Sequence, residues 1–144
     1  MSRRYPGWPA VLAAILASLG SSAAAGQRDT ISLSGRWRFE LDPGGVGIAE
    51  RWFEQDLADW VILPGSTDEN HKGTPNTRPP DLNGLSRVYE YVGPAWYQRE
   101  IDIPESWAGL RVTLFLERCH WETRVWLDDQ ERGTENSLCV PHEH

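Results

Sequence analysis

The sequence predicts an all-β sandwich, on three observations. Short segments alternate apolar and polar residues with a period of two, as Trp37, Phe39 and Leu41 do against Arg36, Arg38 and Glu40. Clusters of Gly, Pro, Asp and Asn punctuate these segments. Each segment carries one apolar face, and a second sheet is the economical way to cover several such faces. The chain has 144 residues, at most about one domain.

Residues 1–25 read as a secretory signal peptide rather than fold. Arg3 and Arg4 supply a positive start, Val11 to Ala17 a short apolar centre, and Ala23-Ala24-Ala25 a small-residue cleavage site. The apolar run is too short to favour a membrane span, so residues 26–144 are expected in a secreted or periplasmic protein with no span after cleavage. Cleavage removes two arginines and no acid, so the formal charge of −7 becomes about −9. A nucleic-acid partner is excluded on this balance, because neutralising phosphates needs a basic stripe that the chain lacks. Neutral sugars remain compatible.

The first strand, Arg36 to Leu41, lies between Gly35 and the turn Asp42-Pro43-Gly44-Gly45. Residues 46–57 are less regular and suit a short helical turn, with Trp52 and Phe53 directed inward. Trp60 to Leu63 forms a compact strand stopped by Pro64-Gly65. From Ser66 to Gly93 the composition changes to Thr, Asp, Asn, Gly and Pro. A loop of that length in a compact domain is more often functional or disordered than merely connective. Three strands are expected after it: Tyr97 to Ile103, ended by Pro104; Leu110 to Glu117; and Glu122 to Leu127, closed by an Asp128-Asp129 hairpin turn. Ser137 to Pro141 reads as the beginning of another strand, so the sandwich is expected to be incomplete at His144, with an open edge.

Six pieces in order resemble the N-terminal sugar-binding domain of family 2 glycoside hydrolases, the group of β-galactosidases, β-glucuronidases and β-mannosidases. They are Leu33-Ser34-Gly35-Arg36-Trp37-Arg38-Phe39, Trp60 to Ser66, Gly93-Pro94-Ala95-Trp96-Tyr97-Gln98-Arg99, Ile103-Pro104-Glu105-Ser106-Trp107, Arg111 to Glu117, and Thr123-Arg124-Val125-Trp126-Leu127. The resemblance implies a jelly-roll sandwich of the galactose-binding type, docked within one polypeptide against an immunoglobulin-like domain and a (β/α)8 barrel that holds the chemistry. Family members often turn the last hairpin with Asn-Gly. Here Asp128-Asp129 stands instead, which leaves the turn type open.

Catalysis is not expected in this chain. Retaining glycosidases use two carboxyl groups about 5–5.5 Å apart, and the family takes both from the barrel, the acid/base within an Asn-Glu pair. No Asn-Glu occurs here; Glu69-Asn70 and Glu135-Asn136 run in reverse. Nucleophile-elbow, phosphate-loop and zinc-helix motifs are missing too. No cofactor is implied. Cys119 and Cys139 with His120, His142 and His144 make a poor zinc signal for want of ligand spacing. In an exported chain the two cysteines allow one disulfide, and the sequence leaves their pairing open.

In some family 2 enzymes this domain sends a loop to the barrel's active site. Asp68, Asn70, His71 and Lys72 are the candidates here for hydrogen bonds to sugar hydroxyls, weighed against an exposed loop that touches nothing. Trp37 reads as core. Trp96, Trp107, Trp121 and Trp126 favour packing over sugar stacking, because large aromatics dominate core burial. The expected role is a non-catalytic domain that scaffolds or lines the sugar site of a barrel outside this chain. The alternatives are a free-standing carbohydrate-binding module and an adhesive sandwich without a sugar ligand.

Overall fold

In a computed structural model of the chain, residues 29–79 and 86–144 are described. The expected signal peptide lies outside the described residues. Strand β1 (Gly35–Leu41) is the centre of an antiparallel sheet, with β2 (Asp59–Leu63) and β5 (Ala95–Gln98) on its two edges. The register sets Trp37 opposite Val61 and Phe39 opposite Tyr97. Period-two alternation therefore places Trp37, Phe39, Val61 and Tyr97 on one face. Phe39 is 0% exposed and Val61 3%. The Phe39 and Tyr97 rings meet edge to face with centroids 5.0 Å apart. Burying a side chain of this size contributes roughly 1.5–3 kcal/mol.

The opposite face carries Arg36, Arg38, Trp60, Trp96 and Gln98. The Arg36 and Arg38 guanidinium carbons lie 4.1 and 4.9 Å from the Trp60 ring centre, a cation–π geometry. Arg38 also donates to the Leu57 carbonyl at 2.9 Å, and the Leu57 amide donates to the Gln98 side chain at 3.2 Å. These bonds hold the segment after the 3₁₀ turn Trp52–Glu54 against the sheet and bury Leu57.

The turn after β1 is organised by one carboxylate. Asp42 is 2% exposed and accepts from the amides of Val46 and Gly47, each at 2.8 Å, and from the Trp96 indole at 3.1 Å. Burial pushes its carboxyl up, but these bonds favour the anion more and hold it below the ordinary carboxylate value. Gly47 is required by proximity, since a Cβ there would stand 2.3 Å from the Trp96 nitrogen.

β7 (Glu122–Leu127) and β8 (Gln130–Asn136) form the expected hairpin around Asp128-Asp129. Asp128 alone of the two takes a positive φ, 56°, whereas a type I′ turn needs both. A bulge falls between Val125, opposite Gly133, and Trp126, opposite Glu131. Bulges re-aim side chains. Trp126 stacks on Phe53 with centroids 5.3 Å apart and planes 3° from parallel, and lies 5.0 Å from Trp96. With Trp52 against Trp96, this cluster joins the hairpin to the first sheet.

Several expectations are corrected. The strand expected to Ile103 ends at Gln98; Ile101 and Ile103 have the alternation but no neighbouring strand and stand exposed. The long Leu110–Glu117 strand is reduced to β6 (Phe115–Leu116), paired with β9 (His142–Glu143). Residues 137–141 are not a strand. The segment 66–93 is not wholly loop, since β3 (Thr74–Pro75) pairs with β4 (Tyr89–Glu90). The described fold is otherwise all-β as expected, its helical content limited to the 3₁₀ turns Trp52–Glu54 and Glu105–Trp107.

Candidate functional site

The polar segment after β2 is a built turn. Ser66 and Glu69 satisfy each other reciprocally: the Ser66 amide donates to Glu69 Oε2 at 2.8 Å, and the Glu69 amide to Ser66 Oγ at 3.1 Å. This is a capping box in the order Ser-x-x-Glu. Backbone bonds from Asn70 to Ser66, His71 to Asp68 and Lys72 to Thr67 wind the chain above it. Gly73, with φ at +120°, lets the chain turn away; a Cβ there would lie 2.5 Å from the Glu90 carbonyl oxygen.

The four candidate sugar-contacting residues come together in this turn, and the structure gives each a partner. Asp68 Oδ1 accepts from the amides of Val88 and Tyr89 at 3.0 and 2.7 Å, tying the turn to β4. Asn70 acts as an extra residue on the edge of β2: its oxygen accepts from the Ile62 amide at 2.7 Å and its nitrogen donates to the Ile62 carbonyl at 3.1 Å. Lys72 pairs with Asp59 at 2.6 Å, and its donated hydrogen bond holds the Asp59 carboxyl low. His71 is the exposed member, its ring 5.2 Å from that of Tyr89.

These bonds predict unequal effects. Asn70→Ala is expected to destabilise by about 1–3 kcal/mol, because it removes two hydrogen bonds to the Ile62 backbone, each with a net contribution of about 0.5–1.5 kcal/mol. Lys72→Ala is expected to cost under about 1 kcal/mol, since its partner is half exposed. Urea titration of the two variants, with limited proteolysis between residues 64 and 74, checks the order.

A second polar cluster was not legible as such. His142 is 1% exposed, and its Nε2 lies 3.0 Å from the Ser137 carbonyl, which can only accept. In neutral His142, Nε2 therefore holds the proton, and Nδ1 accepts from the Thr123 hydroxyl at 2.7 Å. His144 Nε2 in turn donates to Thr123 Oγ1 at 2.8 Å. Burial holds His144 below the ordinary histidine range, with Glu135 pulling it up and His142 down. This chain of bonds fastens β9 to β7. Among the described residues no group of three His, Cys, Asp or Glu is placed to hold a metal, and no helix is long and apolar enough to cross a membrane.

Residues 30–144 match the family described as glycosyl hydrolases family 2, sugar binding domain. The chain belongs to that family. The similar proteins are β-glucuronidases: that of Paenibacillus borealis is 29% identical over 117 residues, which are 81% of this chain and 18% of that protein. The human β-glucuronidase is 27% identical over 110 residues, covering 70% of this chain and 15% of it. Among solved structures, a β-glucuronidase of an uncultured Clostridium superposes with a TM-score of 0.58 at 25% identity, over 77% of this chain and 18% of that one. The chain thus spans less than a fifth of these relatives' length.

Proposed function

We propose that this chain is the non-catalytic N-terminal domain of an exported family 2-type glycoside hydrolase, acting on β-glucuronides through a barrel carried outside these residues. The observation that supports this is the family match over residues 30–144, with β-glucuronidases as the relatives. In this reading the domain scaffolds the barrel and lends one rim to its sugar site. The 66–72 turn, with Asp68, Asn70, His71 and Lys72, is the proposed rim. Its bonds to β2 and β4 fix it before substrate arrives, which lowers the ordering cost of binding. Export to the periplasm or medium rests on the pattern of Arg3, Arg4, Val11 to Ala17 and Ala23 to Ala25. Exposed Leu110, Val112 and Phe115 are the proposed contacts with the domains that follow.

Two measurements test the proposal. The chain by itself is expected to release no nitrophenol from an aryl β-glucuronide. The gene read beyond the His144 codon is expected to continue in frame into a barrel with an Asn-Glu acid/base, and that longer product to hydrolyse the same substrate. A stop codon followed by unrelated sequence removes the parent enzyme. A folded chain that then bound oligosaccharide on a glycan array would be a free-standing binding module instead.

A further inference from the structure

The β6–β9 and β7–β8 ladders, which belong to separate sheets, share one register. Phe115 faces Glu143 and Leu116 faces His142 in the first; Glu122 faces Asn136 and Val125 faces Gly133 in the second. In every one of these pairs the two residue numbers add to the same total. The strands therefore run the same length between the ladders, and 117–120 stand against 138–141. Carrying the register across this interval sets Cys119 opposite Cys139.

The interval is open for a physical reason. Leu114 and His144 exchange both backbone hydrogen bonds, at 2.8 and 3.0 Å, and the Ser137 amide donates to the Trp121 carbonyl at 2.9 Å. These two hydrogen-bonded positions are an odd number of residues apart. An antiparallel ladder alternates bonded and non-bonded pairs, so no regular ladder connects them, and the strands part into an eyelet. A cleft of about 520 Å³ fills it, lined by residues 117–120 and 138–141. Both cysteines are thiols on its walls, Cys119 half-buried and Cys139 exposed.

We propose that Cys119 and Cys139 form an intramolecular disulfide that closes this eyelet and joins the two ladders into one long hairpin. Drawing the two strands together across the eyelet would bring opposed Cα atoms to the about 4.5–5.5 Å of a paired antiparallel ladder, inside the 4.4–6.8 Å that a disulfide spans. These 144 residues hold two cysteines, so each has one possible partner among them. The oxidant is a disulfide such as glutathione disulfide. The exposed Cys139 thiolate attacks it, forming a mixed disulfide and releasing one glutathione thiolate. Cys119, as its thiolate, then attacks the Cys139 sulfur and releases the second. Two protein thiols are oxidised, one glutathione disulfide is reduced to two thiols, and two protons leave the protein. Burial pushes the Cys119 thiol up and keeps its thiolate fraction small, which proximity offsets in the second, intramolecular attack.

The test equilibrates the reduced full-length chain with a glutathione redox couple, alkylates with iodoacetamide and measures intact mass. The expected product has lost two hydrogens, takes up no alkyl group, and yields on digestion one linked peptide containing Cys119 and Cys139. It also melts about 5 °C or more above the reduced protein, because the cross-link restricts the unfolded chain. In the Cys119→Ser variant, Cys139 is expected to retain one glutathione. Two alkylated thiols, a glutathione on each cysteine, or linkage only between chains on a non-reducing gel would overturn the proposal. The wild-type mass decides even where the variant does not fold.

Discussion

Asp42→Ala is expected to destabilise the domain by about 3–4 kcal/mol, a large share of the 5–15 kcal/mol typical of a folded domain. The carboxylate is buried and accepts from Val46, Gly47 and Trp96, so its removal strands three donors, each at a cost of about 1–3 kcal/mol before relaxation. Asp42→Asn keeps the volume and one acceptor oxygen, and its loss should be intermediate. The effect also depends on pH. The folded carboxyl lies below its ordinary value of 3.8, so its contribution is complete above that value and disappears as pH falls through the depressed folded value. Urea unfolding at pH 7 and pH 3 should therefore show wild type and Asp42→Ala converging in acid. A variant within about 0.5 kcal/mol of wild type at pH 7 would show that the turn does not depend on this carboxylate.

Phe39→Ala is expected to cost about 3–5 kcal/mol and to lower the melting temperature by roughly 10–20 °C. Phe39, Leu57 and Val61 are the buried apolar side chains among the described residues. With so few, the loss of the largest cannot be shared, and the Tyr97 edge contact goes with it. Phe39→Leu retains most of the volume and should cost about half as much. Differential scanning calorimetry separates the two. Equal losses would point to ring geometry rather than volume as the source of stability.

The first sheet and the β7–β8 hairpin were legible because their strands state their period and their ends. Arg36 to Leu41 and Glu122 to Leu127 alternate cleanly, and Pro64-Gly65 stops β2 where the structure stops it. Alternation alone misled at Ile101, Ile103, Leu110 and Val112, because a strand also needs a neighbour to bond, and period carries no information about pairing. β3 was hidden for the opposite reason: Thr74-Pro75 has a loop composition, and its pairing with β4 is set by partners sixteen and fourteen residues away. Residues 66–72 were recognisable as a polar cluster, and the structure does bring Asp68, Asn70, His71 and Lys72 together. Their engagements were not readable, because Asn70 bonds back to Ile62 and Asp68 forward to Val88 and Tyr89. Ser66-x-x-Glu69 was the one local signal that a formed turn stood there. His142 and His144 were weighed only as metal ligands, since nothing in the sequence places Thr123 between them.

The bulge that turns Trp126 into the aromatic cluster has an optical consequence. Trp52, Trp96 and Trp126 come from three separate segments, and neighbouring ring centroids lie 6.2 and 5.0 Å apart. Indole transitions held at such separations couple as excitons, so the folded domain should carry a far-ultraviolet circular dichroism couplet superimposed on its sheet signal. The Trp96–Trp126 component of the couplet belongs to the contact between the hairpin and the first sheet, and to neither alone. Its amplitude therefore follows the docking of one on the other, and would fade if the hairpin swung free while both ladders stayed intact.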